Sequence, residues 1–327
     1  MPANYHIFDN RLSRMDWVLL GIPVGIVFLY FGSEALVDGG KNLALRLGIT
    51  PFVIGLTVLA FGTSAPEAIT SVVSRNDPGI IVGNVVGSNI VNIAVCIGLA
   101  AMIFPIASKF EDNRIEFITM ILASLVVLVM AFGGINLVEG IILIALLALF
   151  IVIVYKTKVN TPEAKAEDLG EPDMPTWKAL LFIIAGLVLL YFGADMFVDG
   201  SKEIAEMMGI SELVIGLFLV AIGTSLPELC VSIMAAFRHE NDIAVSNIIG
   251  SNIFNAFFVL GIGACISDIP VYDSLFTLHI PVMILLSVLM TVFIWKWGKI
   301  NRFTGSILAV IYVIYAVIIL AMPDMAM

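Results

Sequence analysis

Long apolar runs separated by short polar connections fill this chain from end to end. Residues 1–16 are polar and are expected to lie outside a bilayer. The first apolar run extends from about Trp17 to Val37, the second from Pro51 to near Ser74, and the third from about Gly79 to Phe104. The fourth covers Phe117 to Phe132 and the fifth Leu137 to Tyr155. Five more follow near 179–198, 212–237, 243–266, 275–295 and 304–322. A helix of about 20 residues crosses the roughly 30 Å hydrocarbon core of a membrane. Each run therefore predicts a transmembrane helix, and the pattern as a whole an all-α membrane protein with ten of them. Between the fifth and sixth runs, residues 156–178 are rich in Lys, Glu, Asp and Pro and read as a linker.

The ten runs form two copies of five, 1–155 and 179–327, on either side of that linker. Tyr30-Phe31-Gly32-Ser33-Glu34 with Val37-Asp38-Gly39 returns 161 residues later as Tyr191-Phe192-Gly193-Ala194-Asp195 with Val198-Asp199-Gly200. Phe61-Gly62-Thr63-Ser64-Ala65-Pro66-Glu67 returns at the same offset as Ile222-Gly223-Thr224-Ser225-Leu226-Pro227-Glu228. Gly83-Asn84-Val85-Val86-Gly87-Ser88-Asn89-Ile90-Val91-Asn92 matches Ser246-Asn247-Ile248-Ile249-Gly250-Ser251-Asn252-Ile253-Phe254-Asn255 at 163. The second copy thus has two extra residues in the turn around Arg238 to Asp242. Five helices per copy is odd, so the second copy must enter the membrane from the opposite side. The expected architecture is two inverted five-helix repeats. With alternating sides, the N-terminus and loops 2–3, 4–5, 6–7 and 8–9 hold four of the 16 Lys and Arg residues, and the other loops hold the remaining twelve. The positive-inside rule then places the linker in the cytoplasm and both termini outside.

Composition narrows the class further. The chain is 60% hydrophobic and 13% charged, with mean hydropathy +1.08, which excludes an ordinary soluble domain. The net charge of −10 is concentrated in connecting segments and has little bearing on a buried site. No basic patch with interleaved aromatics exists, so nucleic acid is not an expected partner. Cys96, Cys230 and Cys265 lie in apolar segments at unrelated spacings and read as small core residues. The first apolar run is too long for a signal core, so no cleavable leader is expected. The lipid bilayer is the one macroscopic partner the sequence requires; no obligate protein partner and no cofactor is indicated.

The repeated motifs carry the chemistry. A charged side chain near the bilayer centre costs roughly 2.5–3.5 kcal/mol on insertion scales, so Glu67 and Glu228 call for a compensating partner. A cation is the simplest one. Pro66 and Pro227 have no amide hydrogen, and each ring clashes with the carbonyl four residues back, so a helix break is expected at each. Carbonyls freed by a break are tolerated in hydrocarbon only where something satisfies them, such as an ion. Ser64 and Glu67 are three apart, as are Ser225 and Glu228, which suggests a shared helical face for each pair. Asn84, Ser88 and Asn92 recur every four residues, and so do Asn247, Ser251 and Asn255, giving one polar stripe per copy. These are oxygen donors throughout, which suits hard cations such as calcium and sodium; the absence of His and Cys argues against zinc or copper. Taken singly, Ser, Thr, Gly and a Pro kink are ordinary packing features of membrane helices, and that reading covers Thr57, Ser71, Ser74 and His279. It does not account for a seven-residue motif repeated with its carboxylate intact. Glu34 and Asp195 are paired by the repeat near predicted helix ends, where a structural role at the interface or a gate is expected. Neither a His-based metal motif, a serine–histidine pair nor a phosphate loop is present, so an enzyme is not expected.

Gly62-Thr63-Ser64-Ala65-Pro66-Glu67 with Gly83-Asn84-Val85-Val86-Gly87-Ser88-Asn89, and the second set, resemble the cation/calcium exchanger superfamily, and within it the prokaryotic sodium/calcium exchangers. The resemblance implies a secondary active antiporter in a prokaryotic inner membrane, exchanging Na⁺ for Ca²⁺ by alternating access, with about three Na⁺ per Ca²⁺. It implies calcium ligation by Glu67 and Glu228 with the carbonyls of Thr63 and Thr224. Sodium would be held by Ser64, Ser88, Ser225 and Ser251 with the same glutamates, helped by the carbonyls of Ala60 and Ala221. Asn92 and Asn255 would line the centre facing each other. Relatives often carry aspartate where this chain has Asn255, which makes the expected ligand set more symmetric and argues against potassium coupling. A proton-coupled calcium/cation antiporter is the nearest alternative, and a cation channel built on the same oxygens a further one.

Overall fold

The computed structural model describes residues 5–76, 78–159, 171–209 and 221–322. The start of the seventh predicted run, from 212, and residues 160–170 of the predicted linker lie outside the described residues. The helices are α1 (Tyr5–Leu47), α2 (Pro51–Asn76), α3 (Pro78–Ile103), α4 (Phe110–Ala131) and α5 (Leu137–Lys158). The second half has α6 (Thr176–Met207), α7 (described as Ala221–Thr224 and Leu226–Phe237), α8 (Asn241–Ile266), α9 (Leu275–Trp297) and α10 (Arg302–Ala321). Among the described residues, nine of these are long and apolar enough to cross a membrane. Their side chains are apolar on all sides because one side meets protein and the other lipid.

Several helices outrun their apolar segments. The span predicted to stop at Val37 continues to Leu47, and the one predicted to stop at 198 continues to Met207. Glu34 and Asp195 therefore lie well inside helices rather than near their ends. Polar groups in the extension of α1 are satisfied by neighbours: Lys41 Nζ is 2.7 Å from Glu240, and Arg46 Nε donates to the Met174 carbonyl at 3.0 Å. Likewise α4 begins at Phe110, seven residues before the predicted start, and encloses Glu116, which is fully buried with Lys158 3.8 Å away.

Contacts between equivalent residues expose the symmetry. α1 and α6 lie against each other along a row of glycines spaced by seven. A Cβ added at Gly25 would stand 2.7 Å from the Gly193 carbonyl oxygen, one at Gly32 3.0 Å from that of Gly186, and one at Gly39 2.8 Å from that of Ala179. Partner numbers fall as positions in α1 rise, so these equivalent helices are antiparallel, and the axis relating the halves lies in the membrane plane. The same relation recurs elsewhere. Asn89 Nδ2 donates to the Asn252 carbonyl at 3.1 Å, and Asn252 Nδ2 donates to that of Asn89 at 3.4 Å. Ser124 and Ser287, 163 apart, meet at 3.5 Å. Ile106 pairs with Ile300 in a two-stranded antiparallel ribbon at one face, and their repeat equivalents Ile269 and Ile135 bridge at the other. Capping boxes at Asn136–Glu139 and Asn301–Thr304 start α5 and α10, the last helix of each half. The fold is ten helices in two inverted five-helix repeats.

α3 and α8 are the most enclosed helices, and α2 and α7 cross beside them; α5, α6 and α10 are mostly exposed around the outside. The C-terminal end of α1, the turn after α7 and the end of α5 share one face with Asp173 and Met174. There the Asn42 side chain accepts from the Asp173 and Met174 amides at 2.7 and 3.2 Å. We call this the linker face.

Candidate functional site

Both copies of the motif break a helix at the serine. The first part of α2 ends at Thr63, Ser64 adopts φ −82°, ψ 6°, and a new helix runs Ala65–Val73. In α7 the equivalent Ser225 has φ −91°, ψ 7° ahead of Leu226–Phe237. The predicted break at Pro66 and Pro227 thus falls two residues earlier, and each proline occupies the first turn of the following helix. A missing N–H is harmless there, whereas a serine between helices is free of the 3.6-residue geometry. Glu67 and Glu228 fall in the same first turns, where unpaired amides and the positive end of the helix dipole favour a carboxylate.

The repeat partners converge. Glu67, Glu228, Ser225, Ser251, Asn92 and Asn255 are completely buried, and Thr63, Ser64 and Ser88 almost so. Ser64 Oγ donates to Glu228 Oε1 at 3.2 Å, and Ser251 Oγ donates to the same atom at 3.3 Å. Ser64 therefore serves the glutamate of the opposite half, not Glu67 three residues away. Ser225 and Ser88, the counterparts of Ser64 and Ser251, are the hydroxyls that act on Glu67, without meeting hydrogen-bond geometry. Thr63 Oγ1 lies 3.4 Å from Ser251 Oγ and donates to Asn247 Oδ1 at 3.4 Å. The Ala60 carbonyl accepts from the Ser64 amide at 3.0 Å and faces Thr63 Oγ1 at 3.4 Å. Ala221 opens the four-residue helix that ends at Thr224, and Thr224 lines a cleft beside Pro66. Asn84 Nδ2 holds the Glu67 carbonyl at 3.2 Å.

Asn92 and Asn255 do not hydrogen-bond each other. Asn92 Nδ2 donates to Asn252 Oδ1 at 3.1 Å, and both polar atoms of Asn255 are unpartnered. The two asparagines begin equivalent π-helical turns, Asn92–Ile97 and Asn255–Val259, a geometry frequent at functional sites. Asn89 and Asn252, which cross-link the halves, escaped the sequence reading of the site although the 163-residue offset marks them as a pair.

Both oxygens of Glu67 and Oε2 of Glu228 have no hydrogen-bond partner, and no basic side chain pairs with either glutamate among the described residues. Two buried carboxylates with nearby hydroxyls and amides form an oxygen-rich cluster where the two halves meet. Its unmet need is a positive charge with little preference for nitrogen or sulfur, which a hard cation meets.

The sequence profile of sodium/calcium exchanger proteins matches residues 17–156 and 178–321. This chain belongs to the sodium/calcium exchanger family. Such exchangers are membrane antiporters, in keeping with the inverted halves. The chain is 31% identical to the sodium/calcium exchanger MaX1 of Methanosarcina acetivorans, covering 90% of this chain and 96% of that protein. It is 34% identical to an uncharacterized membrane protein of Methanocaldococcus jannaschii over 91% of this chain and 97% of that one. Its structure resembles the sodium-calcium exchanger NCX_Mj soaked with sodium and strontium, with a TM-score of 0.80 and 33% identity over 92% of this chain and 97% of that chain.

Proposed function

We propose that this exchanger moves sodium against calcium across a prokaryotic plasma membrane by alternating access, with its linker in the cytoplasm and both termini outside. One observation carries the reading: two fully buried glutamates, one from each half, have three of their four carboxylate oxygens without a hydrogen-bond partner. In this reading Glu67 and Glu228 ligate calcium with the carbonyls of Thr63 and Thr224. Ser64, Ser88, Ser225 and Ser251 join the glutamates around sodium, with the carbonyls of Ala60 and Ala221. Asn92 and Asn255 line the centre. The count of three sodium ions comes from the family resemblance, and charge gives its consequence. Two ionised glutamates with one Ca²⁺ are neutral, and with three Na⁺ carry one positive charge, so a three-for-one cycle is electrogenic.

Reconstituted protein tests this directly. Sodium on the far side of the membrane should accelerate ⁴⁵Ca efflux from loaded proteoliposomes. Flux indifferent to the trans ion would mark a channel instead, and acceleration by a proton gradient alone would mark proton coupling. Glu67→Gln and Glu228→Gln should each abolish calcium flux, about a hundredfold or more, while remaining monodisperse. Undiminished flux in either would overturn the site. The loss follows from removing half of the chamber's negative charge in a low-dielectric setting.

A further inference from the structure

On the linker face, Arg238 in the turn after α7 donates to the Glu34 carboxylate and stands 3.5 Å from Asp38, while Lys41 pairs with Glu240 at 2.7 Å. These pairs tie α1 to the α7–α8 turn. The repeat supplies a second set of the same charges. Glu34, Asp38 and Lys41 correspond at 161 residues to Asp195, Asp199 and Lys202 on α6, and Arg238 corresponds at 163 to Arg75 in the last turn of α2. Inversion puts this second set on the opposite face, and there it is unmade. Asp195 and Asp199 are exposed, and among the described residues Lys202 pairs only with Glu206 on its own helix at 3.9 Å and Arg75 has no ion pair. Beside it a cleft of about 180 Å³ runs between α6 and α2, bounded by Asp195 and Thr70 and reaching Pro66 and Thr224. On the linker face the made pairs bridge α1 to the turn after α7, and on the opposite face, where the pairs are unmade, the cleft reaches Pro66 and Thr224 of the two motifs.

We propose that the halves carry two matched ionic latches, Arg238 with Glu34 and Asp38 on the linker face and Arg75 with Asp195 and Asp199 on the opposite face, of which one closes as the other opens. Inverted halves that exchange conformations convert each contact of one into the equivalent contact of the other, so the made set predicts the unmade set. Half-exposed Arg–carboxylate pairs are weak enough to break in every cycle and directional enough to bias it. This extends the alternating-access reading above and rests on it.

The test uses proteoliposomes of the full chain with exposed Cys265 changed to Ser and Thr70→Cys as reporter, labelled from the opposite face by a membrane-impermeant maleimide in calcium-free buffer. Arg238→Gln should lower the labelling rate about fivefold by releasing the linker-face latch. Adding Arg75→Gln to Arg238→Gln should return the rate toward that of the parent, because both latches are then weakened. A misfolded single variant would not be rescued this way. An unchanged or faster rate in Arg238→Gln, or no recovery in the double variant, overturns the latches. Sodium-driven calcium counterflow by the parent vesicles is scored separately. Its absence alongside rescued labelling would sink the exchange reading, whereas its presence with unmoved labelling would sink only the latches.

Discussion

Ser64 shows how a site can be half visible in a sequence. Spacing alone puts it on the face of Glu67, but that inference needs a continuous helix, and the helix ends at Ser64 itself. Released from helical geometry, the hydroxyl crosses to Glu228. Which residues the fold brings together was thus legible from the doubled motif; which partner each serves was not, because the pairing runs between segments more than 160 residues apart. Asn255 poses the sharper question. Its amide has no partner, and it stands where a carboxylate would make a third acid in the chamber. Asn255→Asp should therefore make exchange pH-dependent across the range in which the new group titrates. At low pH, with the added group neutral, the variant should behave like the parent. At higher pH its extra negative charge should slow release of bound cations, and turnover should fall several-fold in ⁴⁵Ca uptake assays. A profile superimposable on that of the parent would show that residue 255 lies outside the chamber's electrostatics.

At the scale of elements, the ten apolar runs and their division into fives could be read directly, because hydropathy and repetition are local signals. Helix ends could not. Glu34, Asp38 and Lys41 interrupt the apolar run, yet they continue α1 because Arg238 and Glu240 come back to meet them. The glycine row between α1 and α6 was also hidden, since seven-residue spacing means little until both helices are known to face each other. Backbone contact there leaves no room for a side chain: a Cβ at Gly32 would lie 2.9 Å from the Leu190 nitrogen. Gly32→Leu should part the two helices and destabilise the protein by about 1–3 kcal/mol or more, read as a lower thermal midpoint in detergent. A midpoint equal to that of the parent would mean that the seam yields readily.

For the whole molecule, inversion and charge act together. Among the described residues no basic side chain pairs with Glu67 or Glu228, so in the proposed cycle the net charge of the loaded site follows from the ions. If three sodium ions return for each calcium, one charge crosses per cycle, worth about 2.3 kcal/mol per 100 mV. Calcium uptake into sodium-loaded vesicles should accelerate when a potassium gradient with valinomycin makes the interior positive, and should slow when the sign is reversed. Identical rates at both polarities would establish an electroneutral cycle.

The hydrogen bond from Ser64 to Glu228 also bears on how the chain is made. During synthesis the first five helices enter the bilayer before α7 exists, and Glu67 must then wait in lipid without Ser225 beside it. The first half on its own is an unfinished object, carrying an uncompensated acid until its inverted twin arrives to enclose it. Folding of this protein is in that sense a docking reaction between two halves of one polypeptide, and the buried oxygen cluster around Glu67 and Glu228 is what their meeting creates.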